Sequence, residues 1–254
     1  MKFEKGVSNM ATTLAERMSK FSGSPTSALI AKVAELKQQG KDIISLNVGE
    51  PDFGTPDYIK VAGMKAIADN FTKYTPGNGI LELRQEIVKK LKQDNGIEYG
   101  LNEITTSVGA KQAIASAMMV IAGPGDEVIL PIPCCVSYTE MIRLAGATPV
   151  FVPVRPDNYE LDLKAIEDAI TSRTKAIIIC TPNNPTGAVY SEESLRKLAE
   201  LAVKHDFFIV ADEIYEKLVY DGAKHFSVAS ISQEVKERTV TVNGFSKGLW
   251  RCRV

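Results

Sequence analysis

Two hydrophobic periods alternate along this chain. Over Thr26–Gln39, Leu29, Ile30, Val33 and Leu36 recur at helical spacing and Gly40 supplies the stop. Asp42–Val48 then reads as a strand, and Ile80–Gln93 as a second amphipathic helix through Leu81, Leu83, Ile87 and Leu91, terminated by Asn95-Gly96. From there strand and helix patterns take turns. Strands are predicted at Ile104–Val108, Glu127–Leu130, Pro149–Val154, Lys175–Cys180, Phe207–Ala211 and Thr239–Val242, and helices at Lys111–Ile121, Tyr138–Leu144, Leu161–Ile170 and Glu192–Lys204. Ala176-Ile177-Ile178-Ile179 is apolar on both faces, as a strand must be when helices cover a parallel sheet on both sides. The expected fold class is therefore α/β, a mostly parallel sheet flanked by helices. Residues before about Leu101 are richer in loops, which divides the chain into an extension (1–22), an arm with part of a smaller domain (23–50) and a large domain (51–254).

Composition narrows the classes. The chain has 254 residues, 44% hydrophobic and 24% charged, which fits a soluble globular protein and excludes disordered and fibrous ones. Thirty basic and 31 acidic residues give a net charge of -1, so no polyanion such as nucleic acid is an expected partner and any phosphate contact must be local. The longest apolar runs are too short to span a bilayer, so no membrane contact is expected. The first residues, with Lys2, Glu4 and Lys5, lack a secretory h-region, and a cytoplasmic location is the expectation; Met10 is an alternative start. Cys134, Cys135, Cys180 and Cys252 lack Cys-x-x-Cys spacing and only His205 and His225 accompany them, so free thiols and no metal site are expected.

In an open parallel sheet, ligands sit beyond the carboxyl ends of the strands. Four segments stand there. Ser107-Val108-Gly109-Ala110-Lys111 leads into a helix whose first N–H groups could meet a phosphate, although an ordinary tight turn has the same look. Thr181-Pro182-Asn183-Asn184-Pro185-Thr186-Gly187 is a rigid loop able to present the Asn184 amide. Phe208–Ala211 delivers Asp212 at a strand end with Tyr215 three residues on; the acid could hold a pyridine nitrogen protonated, or simply cap a helix. Finally Thr241-Val242-Asn243-Gly244-Phe245-Ser246-Lys247 places a lysine, with a hydroxyl before it, at a strand-to-loop edge suited to a Schiff base with a phosphorylated aldehyde.

Together with Gly49-Glu50-Pro51-Asp52-Phe53 and Lys73-Tyr74-Thr75-Pro76, these segments closely resemble the fold type I, class I aminotransferases that use pyridoxal 5'-phosphate, particularly the bacterial aspartate aminotransferase branch; the resemblance runs from about Ser24 to Lys247. It implies a pyridoxal-phosphate-binding large domain in which Lys247 forms the Schiff base and then moves the substrate proton. Asp212 would pair with the pyridinium nitrogen, and Asn184 and Tyr215 would bond the ring oxygen. Gly109, Ala110, Lys111 and Ser246 would surround the phosphate. Gly49, Asn184 and Lys111 would meet the substrate, and Tyr74 would reach the phosphate site of a neighbouring subunit, which implies a homodimer. The implied reaction moves an amino group from an amino acid, aspartate leading, to a 2-oxo acid such as 2-oxoglutarate.

Two departures from that pattern stand out. Cys135, or Cys134, occupies the place where relatives put an aromatic ring over the cofactor; Tyr138 or another side chain could cover the ring instead. After Lys247 the family continues to a phosphate-binding arginine, further strands and a second domain, whereas here Gly248-Leu249-Trp250-Arg251-Cys252-Arg253-Val254 closes the sequence and Arg251 arrives early. The expectation is thus a large domain incomplete at its C-terminus, with apolar faces left uncovered. The alternatives are an inactive or cofactor-binding fragment and a related lyase.

Overall fold

The structure, a computed structural model, describes Met18, Gly23, residues 25–47, Gly49 and residues 53–248. Expectations that rest on Met10, Ser24, Glu50, Pro51, Asp52, Arg251 or Cys252 lie outside the described residues.

Among the described residues, five strands form one sheet: β1 (Glu127–Ile132), β2 (Thr148–Pro153), β3 (Thr174–Cys180), β4 (Phe208–Asp212) and β5 (Thr239–Val242). Their order is β2-β1-β3-β4-β5, and every neighbouring pair is parallel. Residue alternation along the strands splits the interior into two layers. Ile129, Ile177, Ile179, Ile209 and Ala211 face one layer, where Ile166 of α6 (Leu163–Ala169) and Leu195, Leu198, Ala199 and Ala202 of α7 (Glu192–His205) cover them. Val128, Leu130, Ala176, Ile178, Cys180 and Val210 face the other, covered by Ile114 and Met118 of α4 (Ala110–Ile121) and Tyr138, Met141 and Ile142 of α5 (Val136–Ala145). The result is the three-layered α/β arrangement that the apolar strand runs predict.

Local chemistry sets the helix ends. In α7 the Ser191 hydroxyl accepts from the Ser194 N–H (3.2 Å), and Glu192 and Glu193 in the first turn and Lys204 and His205 in the last match the helix dipole. α3 (Leu81–Asn95) stops where Gly96 takes a left-handed φ of 70°. α1 (Pro25–Gln38) follows the predicted span closely.

Two predicted strands do not form among the described residues. Residues 41–46 pair with nothing in a ladder, and Ile44 and Leu46 are 87% and 92% exposed. Ile104–Val108 follows a short 3-10 turn; apart from bonds to residues two or three positions away, its backbone–backbone bond among the described residues is Thr106 N–H to Asn78 O (3.2 Å), and Val108 emerges 89% exposed. Both segments carry β-branched residues, but a strand needs a neighbour to pair with, and tertiary placement overrides that preference. Helices α2 (Asp57–Ala68) and α8 (Gln233–Glu237) were not apparent in the pattern: α2 buries no residue, and α8 is only five residues long, capped by Ser232.

Candidate active site

The register aligns Cys180 of β3 with Asp212 of β4, and Asp212 with Val242 of β5, so the three following loops leave the sheet side by side. They carry Asn184, Tyr215 and Lys247, which the structure brings together. The Asn184 amide Nδ2 donates to the Tyr215 hydroxyl (3.2 Å), and the Lys247 ammonium lies 5.8 Å from the centre of the Tyr215 ring. Lys247 Nζ also donates to the Gly49 carbonyl (3.0 Å), which draws the N-terminal segment to the same place. Ser246 precedes Lys247 in the one-turn helix α9 (Phe245–Gly248) and is half-buried.

Asp212 sits beneath this group, 5% exposed. Its Oδ2 accepts from the Tyr138 hydroxyl (2.5 Å) and its Oδ1 from the Ile214 N–H (3.2 Å). Burial raises its proton affinity above that of an ordinary aspartate, while the Tyr138 bond works against the rise. Burial also pushes the Tyr215 phenol up to about 12 and the Cys180 thiol up to about 12, the latter helped by the Asp212 charge. Tyr215 and Cys180 are therefore neutral hydrogen-bonding partners at physiological pH, beside one buried carboxylate of raised proton affinity.

Gly109 caps α4 with φ 81°, in the left-handed region. A Cβ built on it would meet nothing within 4 Å, so the space before the first turn of α4 is open. Ala110 is half-buried and Lys111 exposed in that turn. Cys135 is the half-buried N-cap of α5, packed with Cys134 and Tyr215 against the α4/α5 layer; burial raises the Cys134 thiol to about 11. Tyr74 is fully exposed, in the stretch Thr72–Thr75.

Sequence reasoning missed the contact of Tyr138 with Asp212, which lies 74 residues away, and a buried polar network under the same turn. There Asn95 Nδ2 donates to Glu213 Oε2 (3.1 Å), Glu216 Oε2 (2.8 Å) and Ser227 Oγ (2.8 Å), while Lys90 pairs with Glu216. Although burial alone would raise Glu216, Lys90 and Asn95 hold it below the ordinary glutamate value. Glu213, Glu216 and His225 each bring one ligand-type atom within 4.8 Å of the others. Donors already meet Glu213 Oε2 and both oxygens of Glu216, the Lys90 ammonium among them, while Glu213 Oε1 has no hydrogen-bond partner among the described residues. The only sequence signal of the network was the placing of polar residues in otherwise apolar surroundings.

The family model described as "Aminotransferase class I and II" matches residues 41–250. The chain belongs to that family. Among its relatives, the "Aspartate aminotransferase" of Bacillus sp. (strain YM-2) is 47% identical over 239 residues, covering 94% of this chain and 61% of that protein. The "Probable aspartate/prephenate aminotransferase" of Aquifex aeolicus (strain VF5) is 48% identical with the same coverage of both chains. Among solved structures, the aspartate aminotransferase from Thermus thermophilus with maleate superposes with a TM-score of 0.90 at 45% identity, over 94% of this chain and 62% of that one. This aminotransferase chain thus spans about three-fifths of the length of these relatives. No helix among its described residues is long and apolar enough to cross a membrane.

Proposed function

We propose that this chain carries the pyridoxal-phosphate site of an aminotransferase that moves an amino group from aspartate to a 2-oxo acid, 2-oxoglutarate being the leading acceptor. The observation that carries the reading is the convergence of Asp212, Asn184, Tyr215 and Lys247 at the aligned ends of three neighbouring parallel strands. The donor set fits the cofactor: a buried carboxylate for a ring nitrogen, an amide and a phenol for a ring oxygen, an amine for the aldehyde, and an open helix start for a phosphate.

When bound, the cofactor supplies an aldehyde that condenses with amines and a ring that takes up electrons from the substrate carbon–hydrogen bond. The protein does the rest. Asp212, buried and bonded by Tyr138, holds a proton on the ring nitrogen. Asn184 and Tyr215 orient the ring through its oxygen. Gly109, Ala110, Lys111 and Ser246 receive the phosphate, the N–H groups at the start of α4 facing its charge. Lys247, as a free amine, takes and returns the proton at the substrate carbon. Gly49 and Asn184 meet the substrate, and Lys111 a distal carboxylate. Cys135 would stand where relatives place an aromatic ring over the cofactor. Tyr74 completes the site of a second copy, which makes the functional unit a homodimer.

The names of the relatives support aspartate, and so does the maleate that accompanies the Thermus thermophilus enzyme, since maleate is a four-carbon dicarboxylate. The test is direct. The chain is incubated with pyridoxal phosphate, aspartate and 2-oxoglutarate, and glutamate is measured by chromatography. Glutamate should form in step with aspartate loss, and Lys247→Ala should lower the rate about a thousandfold or more. Aspartate loss without glutamate, or an equal rate in the variant, contradicts the reading.

A further inference from the structure

The turn that carries Asp212 and Tyr215 also carries Glu213, which points to a separate set of partners. Glu213 is 1% exposed. Its Oε2 accepts from the Ser227 hydroxyl (2.6 Å) and from Asn95 Nδ2 (3.1 Å), and lies 3.1 Å from His225 Nε2. Its N–H donates to the Val242 carbonyl (2.8 Å), tying the end of β4 to the strand that leads to Lys247. Asn95, the last residue of α3, reaches Glu216 in the same turn, so two carboxylates flanking Tyr215 are held by one amide. A buried carboxylate is costly unless its bonds are met; Oε2 of this one is tied to two separate chain segments, the end of α3 and residues 225–227, while its buried Oε1 has no hydrogen-bond partner among the described residues.

We propose that Glu213 is a positioning residue: anchored to Asn95, Ser227 and His225, it fixes the turn so that Asp212 and Tyr215 face one ligand together, and its charge strengthens the hold of Asp212 on a cationic ring nitrogen. The proposal rests on the pyridoxal-phosphate reading above. A negative charge on the buried residue next to Asp212, in a low-dielectric interior, favours a cation held by Asp212. In line with this, Glu213 adds to the rise in Asp212 proton affinity, after the larger effect of burial.

The test uses the whole chain and pyridoxal phosphate labelled with 15N in the ring. Glu213→Gln keeps the volume and an acceptor oxygen but removes the charge. It should bind the cofactor about tenfold more weakly, and at saturation the ring-nitrogen NMR signal should move toward the unprotonated position. Ser227→Ala keeps the charge and loosens the anchor; it should weaken cofactor binding severalfold without moving the signal. A brace with no electrostatic part would leave the Glu213→Gln signal where the parent has it, and that result overturns the charge role. Unchanged affinity in Ser227→Ala overturns the anchoring role, and remains decisive if Glu213→Gln does not fold. Failure of the parent chain to take up the cofactor removes the reading on which the proposal stands, a result distinct from parent and variant binding it alike.

Discussion

Helices α2 and α7 are of similar length and both have an apolar side, yet they end in opposite environments. In α7, Leu195, Leu198, Ala199 and Ala202 are buried against the sheet. In α2, Tyr58, Val61, Met64 and Ile67 are each more than half exposed and no residue is buried. The contrast extends to the segments around them. Between residues 25 and 78, Leu29, Ile30, Ile44, Leu46, Phe53, Phe71 and Tyr74 are exposed too, whereas the interior residues fall between Leu91 and Val242. Amphipathic spacing supplies a face to be covered, but coverage requires a second surface, which the sheet provides for α7 and nothing among the described residues provides for α2. The candidate site belongs to the buried region, and Gly49 of the exposed region touches it through Lys247.

The sharpest way to break this comparison is to remove matched side chains. Ile177→Ala, in the centre of β3 and fully buried, should cost about 2–5 kcal/mol in urea unfolding. A cost below that of an ordinary surface change would mean that the sheet is not the source of stability.

A smaller effect is expected where the buried region breaks its own rule. Burial raises the Asp212 carboxyl above its ordinary value of 3.8, so the unfolded chain ionises first as the pH rises. The sign follows: the cost of the buried charge is absent below 3.8 and grows until the pH passes the raised folded value. Without cofactor, Asp212→Asn should therefore stabilise the chain at pH 7 by about 1 kcal/mol, with the gain vanishing in acid. Thermal melts across pH check it, and a gain independent of pH assigns the cost elsewhere. The same variant should lose cofactor affinity, which separates stability from function at one residue.

The smallest effect is predicted for Ile67→Ala in α2, within about 0.5 kcal/mol of the parent. A loss comparable to that of Ile177→Ala would show that α2 is covered after all and would end the contrast.

What the sequence made legible follows the same division. The five strands and the helices packed on them were readable because Ala176–Ile179 and Leu195–Ala202 carry their burial in local pattern. The placing of Asp212 at a strand end and of Asn184, Tyr215 and Lys247 in the loops after strands was readable, and the aligned register sets those strand ends side by side. The strands expected at Asp42–Val48 and Ile104–Val108 failed because pattern does not reveal whether a neighbour is present to pair with. The bond from Tyr138 to Asp212 and the bonds from Asn95 to Glu213 and Ser227 were out of reach for another reason: they join residues 74 to 132 positions apart, and no local period encodes them.

The central claim is that the ends of β3, β4 and β5 in this chain assemble a cofactor site around Lys247. Adding pyridoxal phosphate, reducing with borohydride and mapping the modified lysine by peptide mass spectrometry tests it most directly. The account predicts one stoichiometric adduct on Lys247, lost in Lys247→Ala. Labelling scattered over surface lysines, or none at all, would contradict it.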